Sequence, residues 1–244
     1  MHNQDIVSQL KRLAKVMTGA EEIPGDTISD VLKIITTALT GIEDDNGQTN
    51  AEILGVLAAN YKPILKTLIE SGSSITEISL PENLTRIGDD AFFAYENLVL
   101  TKLPDSLTSI GNRAFQGCEK LTLTELPESV TSIGSSAFRY CCNLALTKLP
   151  DGLTSIGNMA FVCCENLTLT ELPESLTDIG SSAFDSCEKL TTITFKRKPT
   201  SLDEDTFVNC SNLTIINVPW SEGEVANAPW GAEKATINYN YTGE

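Results

Sequence analysis

The sequence predicts an α/β protein: a solenoid of stacked 23-residue units preceded by a bundle of short helices. Three observations carry this reading. Phe92, Phe115, Phe138, Phe161, Phe184 and Phe207 recur every 23 residues without a slip. Gly88, Gly111, Gly134, Gly157 and Gly180 keep the same step, as do Pro81, Pro104, Pro127, Pro150 and Pro173. Before residue 73 that period vanishes, and apolar residues recur at helical spacing instead. A 23-residue unit cannot bury its own apolar side chains, but stacked units align equivalent residues into ladders and enclose a common core.

In chain order, residues 1–72 are expected to form a helical cap or assembly module. Ile6, Leu10, Leu13 and Met17 share one helical face, and Gly19 supplies a stop. Thr27 with Asp30 begins a second helix, with Val31, Leu32, Ile35 and Leu39 inward. A third carries Ile53, Leu54 and Leu57, and Asn60 with Pro63 starts a fourth. Residues 73–218 form the solenoid. Each unit reads approximately L-x-L-T-x-L-P-[DE]-x-L-T-x-I-G-x-x-A-F-x-x-C-x-[NK]. Leu98 to Leu103, closed by Pro104, suits a brief strand. Leu107 and Ile110, ended by Gly111, suit a second extended piece. Asp89, Asn112, Ser135, Asn158 and Ser181 are cap-type residues just before the Ala-Phe pair, which predicts a short helical turn there. Asn97, Asn143, Asn166 and Asn212 fit its exit in a left-handed conformation. Residues 219–244 leave the repeat and hold both tryptophans, Trp220 and Trp230. They suit either a cap on the last unit or a ligand site.

The blocks LPDSLTSIGNRAFQGC and LPESVTSIGSSAFRYC resemble the BspA-like bacterial leucine-rich repeats over about residues 73–218. That resemblance implies a right-handed leucine-rich-repeat solenoid with a binding or adhesion role, commonly at cell surfaces. Relatives of that kind usually carry an export signal. The opening MHNQDIVSQLKRLAKVMTG mixes charged and apolar residues instead of forming an unbroken signal core, and no wall-anchoring pattern is visible. The helical N-terminal segment together with the Trp-bearing tail is also similar to proteins of phages and prophages, which gives an alternative. In it the chain is a structural component of a particle, self-associating through residues 1–72.

Composition narrows the partners. A net charge of −16 opposes nucleic acid or anionic lipid as the main partner, since phosphate binding needs a basic surface. No apolar run approaches a membrane span. Catalysis has little to work with, because the only histidine is His2 at the terminus. No cofactor or metal is expected. Cys118, Cys141, Cys164, Cys187 and Cys210 share one column and read as a buried thiol ladder. Cys142 and Cys163 lie off it in neighbouring units, as free thiols or as a disulfide. Cys-Cys doublets lack zinc spacing. The acidic row Glu82, Asp105, Glu128, Asp151 and Glu174 lacks a calcium loop.

A protein or glycan partner is therefore expected on the strand face. If Thr101 and Leu103 point inward, strand alternation turns Leu100 and Lys102 outward. The candidate contact columns are Leu100, Leu123, Leu146 and Leu169 beside Lys102, Glu125, Lys148 and Glu171. In the second column, opposite charges stand on adjacent units. The leucines then make an exposed apolar strip. The competing arrangement is a bulge that turns them inward and the threonines outward, as Ile193 and Ile216 in the threonine column suggest.

Overall fold

The computed structural model describes residues 80, 84–200 and 202–243. The helices expected in residues 1–72, and the repeat positions Pro81 and Glu82, lie outside the described residues. The repeat organises the rest into coils: coil 1 ends at Asn97, and coils 2–6 span 98–120, 121–143, 144–166, 167–189 and 190–212.

Every strand pairing is parallel, and up to the last one the step is 23 residues. β1 (Arg86–Ile87), β2 (Ser109–Ile110), β3 (Ser132–Ile133), β4 (Ser155–Ile156) and β6 (Asp178–Ile179) build one sheet in that order. β5 (Glu171–Leu172), β7 (Thr192–Phe195), β8 (Ile215–Asn217) and β9 (Thr236–Asn238) build the other. The isoleucines of the first sheet point inward and are buried. Just outside them runs a threonine ladder: both the amide and the hydroxyl of Thr108 donate to the Thr85 carbonyl, at 2.8 and 2.9 Å, and Thr131 and Thr154 repeat this.

The regular strands thus fall on the second extended piece, whereas Leu98–Leu103 and its equivalents in coils 3 and 4 form none. The reason is a bulge. Leu98, Leu100 and Leu103 are all buried while Thr101 and Lys102 are both exposed, so two consecutive residues face outward and the alternation breaks. The same holds in coils 3 to 5, and it overturns the expected outward leucine column. In coil 6 the aliphatic residue moves one place, from the Leu169 position to Ile193. The two outward neighbours become Thr191 and Thr192, and clean alternation over Thr192–Phe195 gives the four-residue strand β7. The position of the branched aliphatic residue selects where the bulge sits.

The other edge also departs from expectation. Among the described residues there is no helix, and the Ala-Phe segment is a run of turns. In coil 1 the amides of Ala91, Phe93 and Tyr95 bond three residues back. Those of Asp90, Phe92 and Ala94 leave the coil and donate to Asn112, Ala114 and Gln116 of the next, at 2.7–2.9 Å. An α-helix would send each amide four residues back along its own chain. Here left-handed residues interrupt every attempt: Asp90, Arg113, Ser136, Met159 and Ser182 form one such column, and Ala94, Tyr140, Cys163, Ser186 and Asn209 another, at φ between 52° and 61°. Each costs about 1–2 kcal/mol for a residue with a Cβ, and Gly117 occupies the second column free of that cost.

The predicted caps serve the stacking instead. Asp89, Asn112 and Asn158 accept from the backbone amides of Asn112, Ser135 and Ser181 in the following coil. The asparagines expected to be left-handed are not. Asn143, Asn166 and Asn212 donate to the carbonyls of Glu119, Cys142 and Glu188 one coil earlier, each at 2.8 Å. Coils approach closely because of the glycine column: a Cβ on Gly134 would stand 2.6 Å from both the Asn112 nitrogen and the Gly111 carbonyl carbon. Asp203 takes that column's place in coil 6, and the first sheet ends one coil earlier, at β6.

The core is a continuous file. The six phenylalanines stack with ring centroids 5.2–5.6 Å apart and interplanar angles of 5–11°. All are at most 1% exposed, and each contributes about 1.5–3 kcal/mol of transfer free energy before entropy is counted. Beyond coil 6, Trp220 and Trp230 pack on Phe195 at 5.3 and 6.2 Å, and the Trp230 indole donates to the Ala226 carbonyl at 2.7 Å. Both indoles are buried, which leaves neither ring face open to a ligand.

Candidate binding surface

The bulge decides what the strand face offers. Leu100, Leu123, Leu146 and Leu169 are 4, 0, 0 and 1% exposed. They fill the core, and the apolar strip expected from simple alternation is absent. What faces outward is a pair of polar columns: Thr101, Thr124, Thr147 and Thr170 beside Lys102, Glu125, Lys148 and Glu171, all exposed. Two residues per coil point out where alternation would present one.

The charged column makes its ion pairs with residues outside the column, one within its own coil and two with an adjacent coil. Lys102 meets Asp105 at 3.1 Å, Lys148 meets Glu128 at 2.5 Å and Glu171 meets Lys196 at 2.8 Å. The hydrogen bond from Lys148 holds the Glu128 carboxyl below its ordinary range, and the same contact holds the Lys148 ammonium above its own. Glu125 adds a weaker attraction to Lys148. These groups are solvated and contribute little to stability, so they remain available to a partner.

The column cysteines have a definite role. Each thiol donates to the carbonyl of the phenylalanine one coil back: Cys118 to Phe92, Cys141 to Phe115, Cys164 to Phe138, Cys187 to Phe161 and Cys210 to Phe184, at 3.0–3.2 Å. Burial pushes the Cys118 and Cys210 thiols up to about 12 and drives the other three well above their ordinary value. Such thiols stay protonated and unreactive. Tyr95 fills the column in coil 1 and sets its ring edge-on to Phe92 at 6.0 Å. All seven cysteines are free, and Cys142 and Cys163 are half-buried. Among the described residues no cluster of three or more His, Cys, Asp or Glu side chains is arranged to hold a metal. Nor is any helix there long and apolar enough to cross a membrane.

Sequence reading missed several exposed apolar residues on the turn edge. Phe93, Tyr140 and Met159 are three of the exposed large apolar residues. The Arg113 guanidinium lies 6.0 Å from the Phe93 ring and bonds Asp90 at 2.9 Å. The Arg139 guanidinium lies 4.7 Å from the Tyr140 ring and donates to the Tyr140 hydroxyl at 2.8 Å. The available signal was a large apolar residue in columns filled elsewhere by small or polar ones: Ala94, Gly117, Cys163, Ser186 and Asn209 share the Tyr140 column, and Asp90, Arg113, Ser136, Ser182 and Asp205 the Met159 column.

Stacked 23-residue coils with leucine-lined inner positions and a G-x-x-A-F turn define a leucine-rich-repeat solenoid. The chain belongs to the BspA-type leucine-rich repeat family: that family's pattern, described as the BspA type leucine rich repeat region, matches residues 64–162 and 133–227 with six copies in all. Among solved structures it is similar to the T. pallidum leucine-rich repeat protein, at 31% identity and a TM-score of 0.52, over 60% of this chain and 73% of that one. It is also similar to a leucine-rich cell surface protein of Faecalibacterium prausnitzii, at 25% identity and a TM-score of 0.41, over 59% of this chain and 55% of that one. No curated protein matches the chain.

Proposed function

We propose that the chain is a non-catalytic recognition module that binds protein or glycan through the strand face of its solenoid. The observation that carries this reading is the pair of outward polar columns from Thr101 and Lys102 to Thr170 and Glu171, two exposed residues per coil over four coils in register. A row of hydroxyls beside alternating charges offers donors and acceptors along the axis, and a repeated backbone holds them rigidly, so little ordering entropy is lost on binding. The leucines behind them set the position of the row and do not contact the partner. Residues 1–72 and 219–244 serve as the end modules of this array.

The test is an array of immobilised proteins and glycans probed with the full chain and with a Lys102→Glu, Lys148→Glu double variant. Both lysines are exposed, so the variant is expected to melt within about 2 °C of the parent. Its signal on any ligand of the parent should fall at least tenfold. Retained binding, or the absence of a ligand on either array, would remove the strand face as the site.

A further inference from the structure

We propose that Met159 is an oxidation site whose sulfoxide is held by Arg139, so that modification by a peroxide clamps coil 4 to coil 3 along the turn edge. Met159 is 39% exposed, so an oxidant reaches its side chain from solvent, and no core packing is lost when the thioether becomes polar. Its neighbour is Arg139 of coil 3, whose Nη1 lies 3.8 Å from the Met159 sulfur.

Arg139 is a donor short of acceptors. Its Nη2 donates to the Tyr140 hydroxyl at 2.8 Å, and the guanidinium carbon lies 4.7 Å from the Tyr140 ring centroid. Its Nε is buried and finds no hydrogen-bond partner among the described residues, and no carboxylate there forms an ion pair with the guanidinium. The one further acceptor it meets is the thioether sulfur, which is a weak one. Arg113, by contrast, is neutralised by Asp90 at 2.9 Å. The contact between Arg139 and Met159 belongs to the repeat. Residues 20 positions apart meet across adjacent coils here, and they meet again where the Arg113 guanidinium lies over the Phe93 ring. The register therefore keeps the sulfur and the under-bonded guanidinium side by side.

Hydrogen peroxide is the only co-reactant the step needs. A sulfur lone pair attacks one peroxide oxygen, the O–O bond breaks and an S–O bond forms. The proton on the transferred oxygen passes to the departing hydroxide, which leaves as water. Sulfur is oxidised by two electrons and the peroxide is reduced by two. The product presents a polar oxygen one bond beyond the sulfur, within ordinary N–H···O reach of a guanidinium that already touches the thioether. A charge-assisted bond to that oxygen is much stronger than one to sulfur. The unbranched methionine side chain turns the oxygen toward Arg139 without moving the backbone. The new bond joins two coils and draws the guanidinium from the Tyr140 ring.

The experiment treats the full chain with dilute hydrogen peroxide, restores the thiols with a reductant, locates the added oxygen in digested peptides and records thermal melting. Met159→Leu, treated alike, carries any oxidation elsewhere and serves as the baseline. Met159 is expected to gain one oxygen, and relative to that baseline oxidation should raise Tm by about 2–4 °C. In Arg139→Ala the same treatment should give no rise. Met159→Gln, which places a carbonyl acceptor there without oxidation, should raise the melt of the parent and leave that of Arg139→Ala unchanged. A Met159 left unmodified while the urea-unfolded chain is fully oxidised overturns the proposal. So does an oxidised parent that melts no higher than its baseline, or an equal rise in Arg139→Ala.

Discussion

The sharpest expectation concerns two glycines 18 positions apart. In Gly134→Ala the new Cβ stands 2.6 Å from the Asn112 nitrogen and the Gly111 carbonyl carbon, and 2.8 Å from the Gly111 oxygen. Favourable carbon contacts lie near 3.5–4.0 Å, so the coils must part by about 1 Å at a point where both sides are backbone. No side chain can swing away. The cost belongs at the upper end of the overpacking range, about 3 kcal/mol. For a protein of this size that lowers Tm by about 6–12 °C. Gly152→Ala is the matched opposite: its nearest neighbour is the Glu128 oxygen at an ordinary 3.7 Å, and its φ is not left-handed. Restricting the unfolded chain should then stabilise by about 0.4–1 kcal/mol. Thermal unfolding of the two single variants, followed by far-UV circular dichroism, reads both signs at once. If both melt on the same side of the parent, or if Gly134→Ala melts within a degree of it, the close-approach account of the glycine column is wrong.

Further expectations follow from the same geometry. Gly152→Ser should gain more than Gly152→Ala. Ser129 and Ser175, in the same column, each donate to two carbonyls of the preceding coil, and the new hydroxyl would add about 0.5–1.5 kcal/mol, read as a higher urea midpoint. Leu123→Ser should cost about 3–5 kcal/mol, because the side chain is fully buried, and ligand binding measured on the remaining folded fraction should be unchanged. Alkaline stability should fall from about pH 9. In the folded state Cys118 keeps its proton to about 12, whereas the unfolded thiol loses it near 9.0. Across that window the unfolded chain binds fewer protons and stability drops by about 1.4 kcal/mol per pH unit for this thiol. Urea midpoints at successive pH values should show a shallower decline in Cys118→Ala, and an equal decline would exclude the thiol as the cause.

Periodicity made the architecture legible, since the columns of Phe, Ile, Gly and Cys could be read before any coordinate and all stack as aligned. The details that failed were those in which one unit's sequence supports two local conformations. L-x-L-T-x-L alternates equally well with Leu100 or Thr101 inward, and only the volume available in the core chooses between them. The Ala-Phe segment has cap-type residues and short apolar spacing, both helix signals. Its amides nevertheless find better partners in the next coil, and that competition is invisible within a single unit. Asn143 and Asn166 were misread for the same reason: their partners lie 24 residues away. The candidate contact row was half legible, with Lys102, Glu125, Lys148 and Glu171 outward as expected and the leucines inward.

The one-way bonding of the turn edge has an electrical consequence. In the Ala-Phe turns the amides of Asp90, Phe92 and Ala94 and their equivalents in later coils donate toward the C-terminal neighbour, the last of them, that of Phe207, ending on the Trp230 carbonyl. Peptide dipoles that alternate in an ordinary sheet therefore add along this edge, as they do in a helix. The positive pole lies at the last coil, where the run Asp203-Glu204-Asp205 falls, and the Asp205 carboxylate receives the forward-pointing amide of Ser182 at 3.2 Å. One edge of the solenoid thus carries a row of aligned peptide dipoles with no helix among the described residues, and lengthening the array by whole coils would extend that row.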